Sequence, residues 1–240
     1  SGMTASLHDF YRNKKVLITG HTGFKGSWLS VWLSEIGSEV IGFSLDPPTR
    51  PSHFEICGLK NRMVSIRGDI RDLGALRRAV SEHCPEVVFH LAAQSLVRRS
   101  YREPVDTFGT NVMGTVNLLE TCRQASSVQV VINVTSDKCY ENKEWVWGYR
   151  ENDAIGGHDP YSSSKGCAEL VTTAYARSYF NSAGQPGTRK ALATVRAGNV
   201  IGGGDWAEDR LIPDCIKALS TRAPIIVRNP LDAMCHVAME

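Results

Sequence analysis

Short runs of β-branched and apolar residues alternate along the chain with longer stretches whose apolar positions recur every three to four residues. Residues 16–19, 40–44, 64–67, 87–91, 128–134 and 191–197 read as strands. Residues 27–36, 73–83, 105–125 and 161–180 read as helices between them, with Gly37 closing the first and Pro85 stopping the second. Continuous apolar strands separated by helices specify an α/β fold, a doubly wound parallel sheet covered on both faces. Residues 46–51 and 181–189 read as loops. The tail differs: 225–228 reads as one strand, Asn229-Pro230 breaks it, and 231–240 reads as a helical fragment with no second lobe.

Composition narrows this picture. With 240 residues, 42% hydrophobic and 22% charged, the chain can bury a sizeable core as one soluble domain. A net charge of +2 leaves no basic footprint for nucleic acid. No apolar run approaches the ~18 residues of a membrane span, and no charged-then-apolar leader opens the sequence. Ser1-Gly2 ahead of Met3 reads as a tag remnant. The seven cysteines (57, 84, 122, 139, 167, 215 and 235) form no C-x-x-C pair, so reduced thiols in a cytoplasmic protein are expected, without disulfides or a metal site.

Two motifs carry chemistry. Gly20-His-Thr-Gly23-Phe-Lys-Gly26 stands between the first strand and the first helix. Glycines there let the backbone turn tightly against a pyrophosphate, and the helix N-terminus supplies amide donors. The spacing is G-x-x-G-x-x-G, and a dinucleotide is the expected ligand. Asp46, just past the second strand, can accept the adenosine ribose hydroxyls and repel a 2′-phosphate, favouring NAD; an ordinary turn aspartate before Pro47 is the alternative, and Arg50 and Lys25 nearby complicate the choice. Asp69 either holds the adenine edge or caps the helix starting near Asp72.

Tyr161 and Lys165 are four residues apart, on one face of a helix. A nearby ammonium favours phenolate, so the tyrosine is expected to titrate lower and to act as a general base on an alcohol. Many such pairs are merely surface neighbours; the dinucleotide motif on the same chain raises this one above them. Thr135-Ser136-Asp137-Lys138 follows the fifth strand, where ligands gather in a parallel sheet. Ser136 can orient a substrate hydroxyl, Asp137 can act as an acid if buried, and Lys138 as a base if desolvated. The bland alternative is a turn with solvated charges. His90 reads as a satisfied core histidine, and Trp145 and Trp147 as loop packing.

The glycine motif, His90-Leu-Ala-Ala-Gln94, Asn111, Tyr161-x-x-x-Lys165 and Arg196-Ala-Gly-Asn199 together resemble the extended short-chain dehydrogenase/reductase superfamily. Residues 20–28, 92–101 and 135–142 are similar, more narrowly, to the CDP-glucose 4,6-dehydratase family. The resemblance implies a Rossmann-type NAD-binding domain over 14–200 and an incomplete start of a sugar-nucleotide lobe over 201–240. It implies a lyase that converts CDP-glucose to its 4-keto-6-deoxy derivative by internal hydride transfer through NAD. Ser136, Asp137, Lys138, Tyr161 and Lys165 would be catalytic. The cofactor would be held by Gly20, Thr22, Gly23, Phe24, Lys25, Gly26, Asp46, Asp69, Ile70, Leu91, Ala92, Ala93 and Asn111, with Tyr161 and Lys165. Asn111 would support the active-site helix or a relay water. Gln94, Ser95, Asn199 and Arg210 would touch the substrate. In dTDP-glucose dehydratases the motif after this strand is Thr-Asp-Glu; here Lys138 stands where the glutamate takes the carbon 5 proton, and it would either take that proton as a neutral amine or stabilise the enolate as a cation while water or another group takes it. A homodimer through the long helices is implied. A sugar-nucleotide 4-epimerase on the same scaffold is the alternative, and a non-catalytic NAD-binding protein a remote one.

Overall fold

The computed structural model describes residues 2–180 and 190–226. In chain order the elements are α1 (Gly2–Tyr11), β1 (Lys15–Thr19), α2 (Phe24–Glu35), β2 (Glu39–Ser44), α3 (His53–Ile56), β3 (Val64–Arg67), α4 (Leu73–His83), β4 (Val87–His90), α5 (Val97–Arg102), α6 (Pro104–Phe108), α7 (Gly114–Gln124), β5 (Val130–Val134), α8 (Pro160–Tyr175), β6 (Ala191–Val195) and α9 (Leu211–Ser220). The strands form one parallel sheet in the order β3-β2-β1-β4-β5-β6. The order reverses between β1 and β4, so a crevice opens there beyond the strand carboxyl ends. Thr19 lies level with Phe43 on one side and His90 on the other.

Side chains alternate across the sheet as the strand period requires. Leu17, Ile41, Phe43, Val88 and Val131 face Leu76, Val80, Leu118 and Leu119 of α4 and α7. Val16, Ile18, Val40 and Val87 face the other way, onto Leu33 of α2 and Tyr11 of α1. Both faces are therefore dry, which is why these strands are continuous apolar runs.

Every expected strand up to β6 forms, with β5 starting at Val130 and β6 ending at Val195. The first expected helix begins earlier, at Phe24, because the glycine turn leads straight into it. The long helix expected over 105–125 is three pieces: α6, a π-helical turn over Gly109–Met113, and α7. A second π turn, Ala176–Phe180, ends the α8 run. Helices α1, α3, α5 and α9 were not anticipated. Residues 46–51 form neither helix nor strand, as expected. The loop expected at 181–189 and the helical fragment at 231–240 lie outside the described residues. Of the expected strand at 225–228, Ile225 and Ile226 are described and are not strand.

Helix α8 is anchored at its start. Pro160 occupies its first turn, and the Asp159 carboxylate accepts the Ser162 N–H at 2.9 Å. The Tyr161 N–H donates to Ser100 Oγ of α5 at 3.1 Å. These contacts satisfy amides that a helix leaves without partners. Asp159→Ala should therefore lower stability by about 1 kcal/mol, read as an earlier urea midpoint with an unchanged slope.

Candidate active site

A groove of about 720 Å³ opens at the topological switch point, lined by the turns after β1, β2, β3 and β4 and by Tyr161 and Lys165 of α8. The turn after β1 makes its floor. Gly20 adopts φ +76°, and a Cβ there would meet the Ala92 nitrogen at 2.7 Å. A Cβ on Gly26 would meet the Gly20 carbonyl oxygen at 2.2 Å. Side chains are excluded at both places, so backbone approaches backbone. Gly23 caps α2 without a side-chain bond, which leaves the amides of its first turn facing outward. Such a cradle, with the positive end of a helix behind it, fits a diphosphate. Thr22 Oγ1 donates to the Leu45 carbonyl at 2.9 Å and lies 2.8 Å from Ser44 Oγ, fixing the turn to the end of β2.

Every expected cofactor residue except Asn111 lines this groove. Asp46 lies on its edge, in an exposed ion pair with Arg67 at 2.8 Å. Asp69 is gripped by the Arg71 guanidinium at 2.6 and 3.0 Å, and that bond holds its carboxyl below the usual range. The helix cap is not Asp69 but Asp72, whose Oδ1 accepts the Ala75 N–H at 2.9 Å. Asn111 is a correction too. It is buried in the π turn, where Nδ2 donates to the Gln94 carbonyl (2.9 Å) and Ser164 Oγ (2.8 Å) and Oδ1 accepts the Gln94 N–H (2.8 Å). Its carboxamide is committed to bracing α8, which is the supporting role among those expected. Gln94 and Ser95 line the groove, but the Gln94 amide is engaged by Leu96 and Thr107.

Tyr161 and Lys165 on the groove wall, and Ser136 and Asp137 in the turn after β5, are all buried. Ser136 Oγ donates to Asp137 Oδ1 at 2.9 Å and accepts the Lys138 N–H at 3.2 Å. The Tyr161 phenol lies close enough to Ser136 and to the Asp137 carboxylate for both to act on its proton. The phenol, the hydroxyl and the carboxylate thus converge, though they come from α8 and from the turn after β5. The expected lowering of the tyrosine does not occur. Burial raises Tyr161 above its usual value, and Asp137 adds to the rise against the influence of Ser136. The partner moves instead: Lys165 is lowered to about 8 by burial and by Lys25. Its Nζ donates to the Val134 carbonyl at 3.4 Å. Burial also lowers Lys25, with Arg210 adding to the effect. Lys138 is exposed, so the desolvation that its role as a base requires is not supplied by this chain's own fold. Asn199 is exposed and outside the groove wall, whereas Arg210 lines it, 3.7 Å from Asp205.

His90 is the core residue expected, with ring nitrogens 2.7 Å from Thr19 Oγ1 and 3.2 Å from Thr115 Oγ1, and burial lowers it to about 3. Trp145 packs on Tyr149, while Trp147 is exposed. The six described cysteines are free, and the described residues hold no cluster fit for a metal. No described helix is long and apolar enough to cross a membrane.

The sequence reading missed a strap, Gly203–Arg210 in the loop before α9. Trp28 Nε1 donates to the Gly203 carbonyl at 2.9 Å, and Arg98 Nη1 to Asp209 Oδ1 at 2.9 Å. His53 was missed as well. It lines the groove, 2.9 Å from Ser27 Oγ and stacked on Trp28 at 4.5 Å. No periodic pattern marks such long-range contacts; Trp28 directly after the glycine motif was the available hint.

Comparison with known proteins agrees with this geometry. The family model described as GDP-mannose 4,6 dehydratase matches residues 17–183. The CDP-glucose 4,6-dehydratase of Salmonella typhimurium is 59% identical over 222 residues, covering 92% of this chain and 62% of that protein. Among solved structures, UDP-glucose 4-epimerase from Thermotoga maritima with UDP-glucose matches with TM-score 0.75 at 26% identity, over 87% of this chain and 64% of that one. A dTDP-glucose 4,6-dehydratase from Streptomyces venezuelae with NAD bound matches with TM-score 0.72 at 26% identity, over 86% and 62%. The chain spans less than two thirds of the length of the curated relatives it matches.

The lysine shift has a measurable consequence. Between about pH 8 and its usual value of 10.5, Lys165 binds more protons in the unfolded chain than in the folded one. Its own contribution to stability therefore rises with pH across that window, while that of Cys122 and Cys139, raised by burial to about 12, falls. The difference between the urea midpoints of the native protein and Lys165→Met should therefore move in favour of the native protein from about pH 8 to 10.5.

Proposed function

The chain belongs to the GDP-mannose 4,6 dehydratase family, and on that premise we propose that it serves a sugar-nucleotide 4,6-dehydratase acting on CDP-glucose with NAD. Tyr161, on the wall of the groove that holds the diphosphate cradle and under the influence of Ser136 and Asp137, carries this reading. The 59% identity to a CDP-glucose 4,6-dehydratase supports the choice of nucleotide. The domain over 14–200 holds the cofactor, and 201–240 begins the substrate lobe. The protein acts in the cytoplasm, as a homodimer.

The cradle fits the diphosphate of NAD, with Asp46 near the adenosine ribose and Asp69 near the adenine. NAD, when bound, would supply an acceptor for the carbon 4 hydride, which returns to carbon 6 after water is lost, and a positive charge that favours phenolate over phenol. Tyr161 takes the proton of the sugar's 4-hydroxyl, which Ser136 orients. The buried Lys165, charged below about pH 8, favours the tyrosinate and the bound ribose. A ketone at carbon 4 makes the hydrogen on carbon 5 acidic. Lys138, exposed until a substrate covers it, either takes that proton once covered or, as a cation, stabilises the enolate while water takes it, and Asp137 protonates the departing 6-hydroxyl so that it leaves as water. Arg210, on the groove wall, addresses the sugar nucleotide.

The protein with NAD and CDP-glucose should give a product lighter by one water, seen by mass spectrometry. Asp137→Asn should slow that loss by on the order of 10²–10⁴-fold. An epimerase has no use for Asp137, so an epimerised sugar of unchanged mass, produced equally by Asp137→Asn, would replace this reading.

A further inference from the structure

Glu169 is the least exposed charged side chain among the described residues, at 2%, and neither the glycine cradle nor the chemical end of the groove uses it. It lies one turn beyond Lys165 on α8, so Tyr161, Lys165 and Glu169 form a stripe at successive four-residue steps. Its carboxylate is saturated. Oε1 accepts the Thr135 hydroxyl and, at 2.9 Å, Arg196 Nε; Oε2 accepts Arg196 Nη2 at 2.9 Å and Thr194 Oγ1 at 3.0 Å. Three elements meet on one group: α8, the end of β5 and the end of β6. Arg196 is held in turn by the Tyr140 hydroxyl at 2.8 Å and the Glu151 carbonyl at 3.1 Å, with its guanidinium 4.9 Å from the centre of the Tyr140 ring. Tyr140 sits at the far side of the turn that bears Ser136, Asp137 and Lys138. That turn is thus gripped at both ends, by Thr135 before it and Tyr140 after it.

We propose that Glu169 is a positioning residue: its buried carboxylate fixes the turn bearing Ser136 and Asp137 against the helix bearing Tyr161 and Lys165, with Arg196 as the clasp. The catalytic consequence rests on the function proposed above; the geometry does not. A buried ion pair alone is weak evidence for a role beyond folding, since apolar replacements often stabilise as well. Here the pair joins the two halves of one reacting constellation, and small misplacements there are costly. The electrostatics agree. Burial raises the Glu169 carboxyl, but Arg196 and Thr135 outweigh it and keep it below its usual range. Its negative charge opposes the lowering of Lys165, which also faces Lys25 from α2, His90 from β4 and Cys139 after β5.

Two variants test this. Glu169→Gln keeps the shape and removes the charge; Thr135→Val cuts the tie between Glu169 and the turn, along with a longer bond of the same hydroxyl to the Val195 carbonyl (3.3 Å). Both should lower kcat, on the order of 10²-fold for a displacement near 1 Å, with little change in KM. Thr135→Ser should recover most of the loss. In Glu169→Gln the NMR titration of the Lys165 side chain, assigned by its disappearance in Lys165→Arg, should fall below about 8. The alkaline limb of the rate profile should fall with it. A crystal structure of Thr135→Val should show Ser136 drawn away from Tyr161. The titration and the crystal structure need no turnover, so they decide the matter even if CDP-glucose proves not to be the substrate. Native kcat, native Lys165 titration and an unmoved Ser136, with only a lower melting temperature, would reduce Glu169 to a brace of the fold.

Discussion

A methyl group cannot be placed between Gly26 and the Gly20 carbonyl, where a Cβ would come within 2.2 Å. That contact sets how closely α2 runs past the end of β1. Because α2 sits so near, its first amides open onto the crevice between β1 and β4, and Lys25 is carried into the groove. Ala92, on the turn after β4, closes on Gly20 from the other side. The parallel ladder keeps the ends of β1, β4 and β5 in step. Residues far apart in sequence therefore arrive at one place without any loop needing to be long.

Electrostatics at the chemical end follow from burial more than from pairing. The phenol and the ammonium of the α8 stripe are both displaced toward their neutral forms, Tyr161 upward and Lys165 downward. Lys25 and Arg210 add positive charge to the same space, and Asp137 opposes it. A site of this kind is responsive: an extra charge brought beside it changes which proton moves, because little solvent remains to screen it.

The inner strands β1, β2, β4 and β5 were legible because both faces of the sheet are covered there, which writes them as largely apolar runs. Val130 to Val134 and Lys15 to Thr19 could hardly be anything else. The glycine turn was legible for the same kind of local reason. What stayed hidden was set by partners distant in sequence. Asn111 turned out to be a brace because Gln94 and Ser164 surround it. Asp69 gave the cap to Asp72 because Arg71 claimed its carboxylate. The fall expected for Tyr161 assumed that a neighbouring cation dominates, and burial proved the larger effect. Glu169 continues the Tyr161–Lys165 spacing by one more step, yet nothing local distinguished it from a solvated helix residue. Helix α9 has no buried residue at all, so no inward face could be assigned to it from pattern.

The strap over the groove has a kinetic meaning. Trp28 and Arg98 hold its two ends to α2 and α5, while Asp205 and Arg210 between and beyond them line the crevice. On the function proposed above, a dinucleotide held in that crevice would have this strap along its exit, and a reaction that restores its own oxidant each round has no need to exchange its coenzyme.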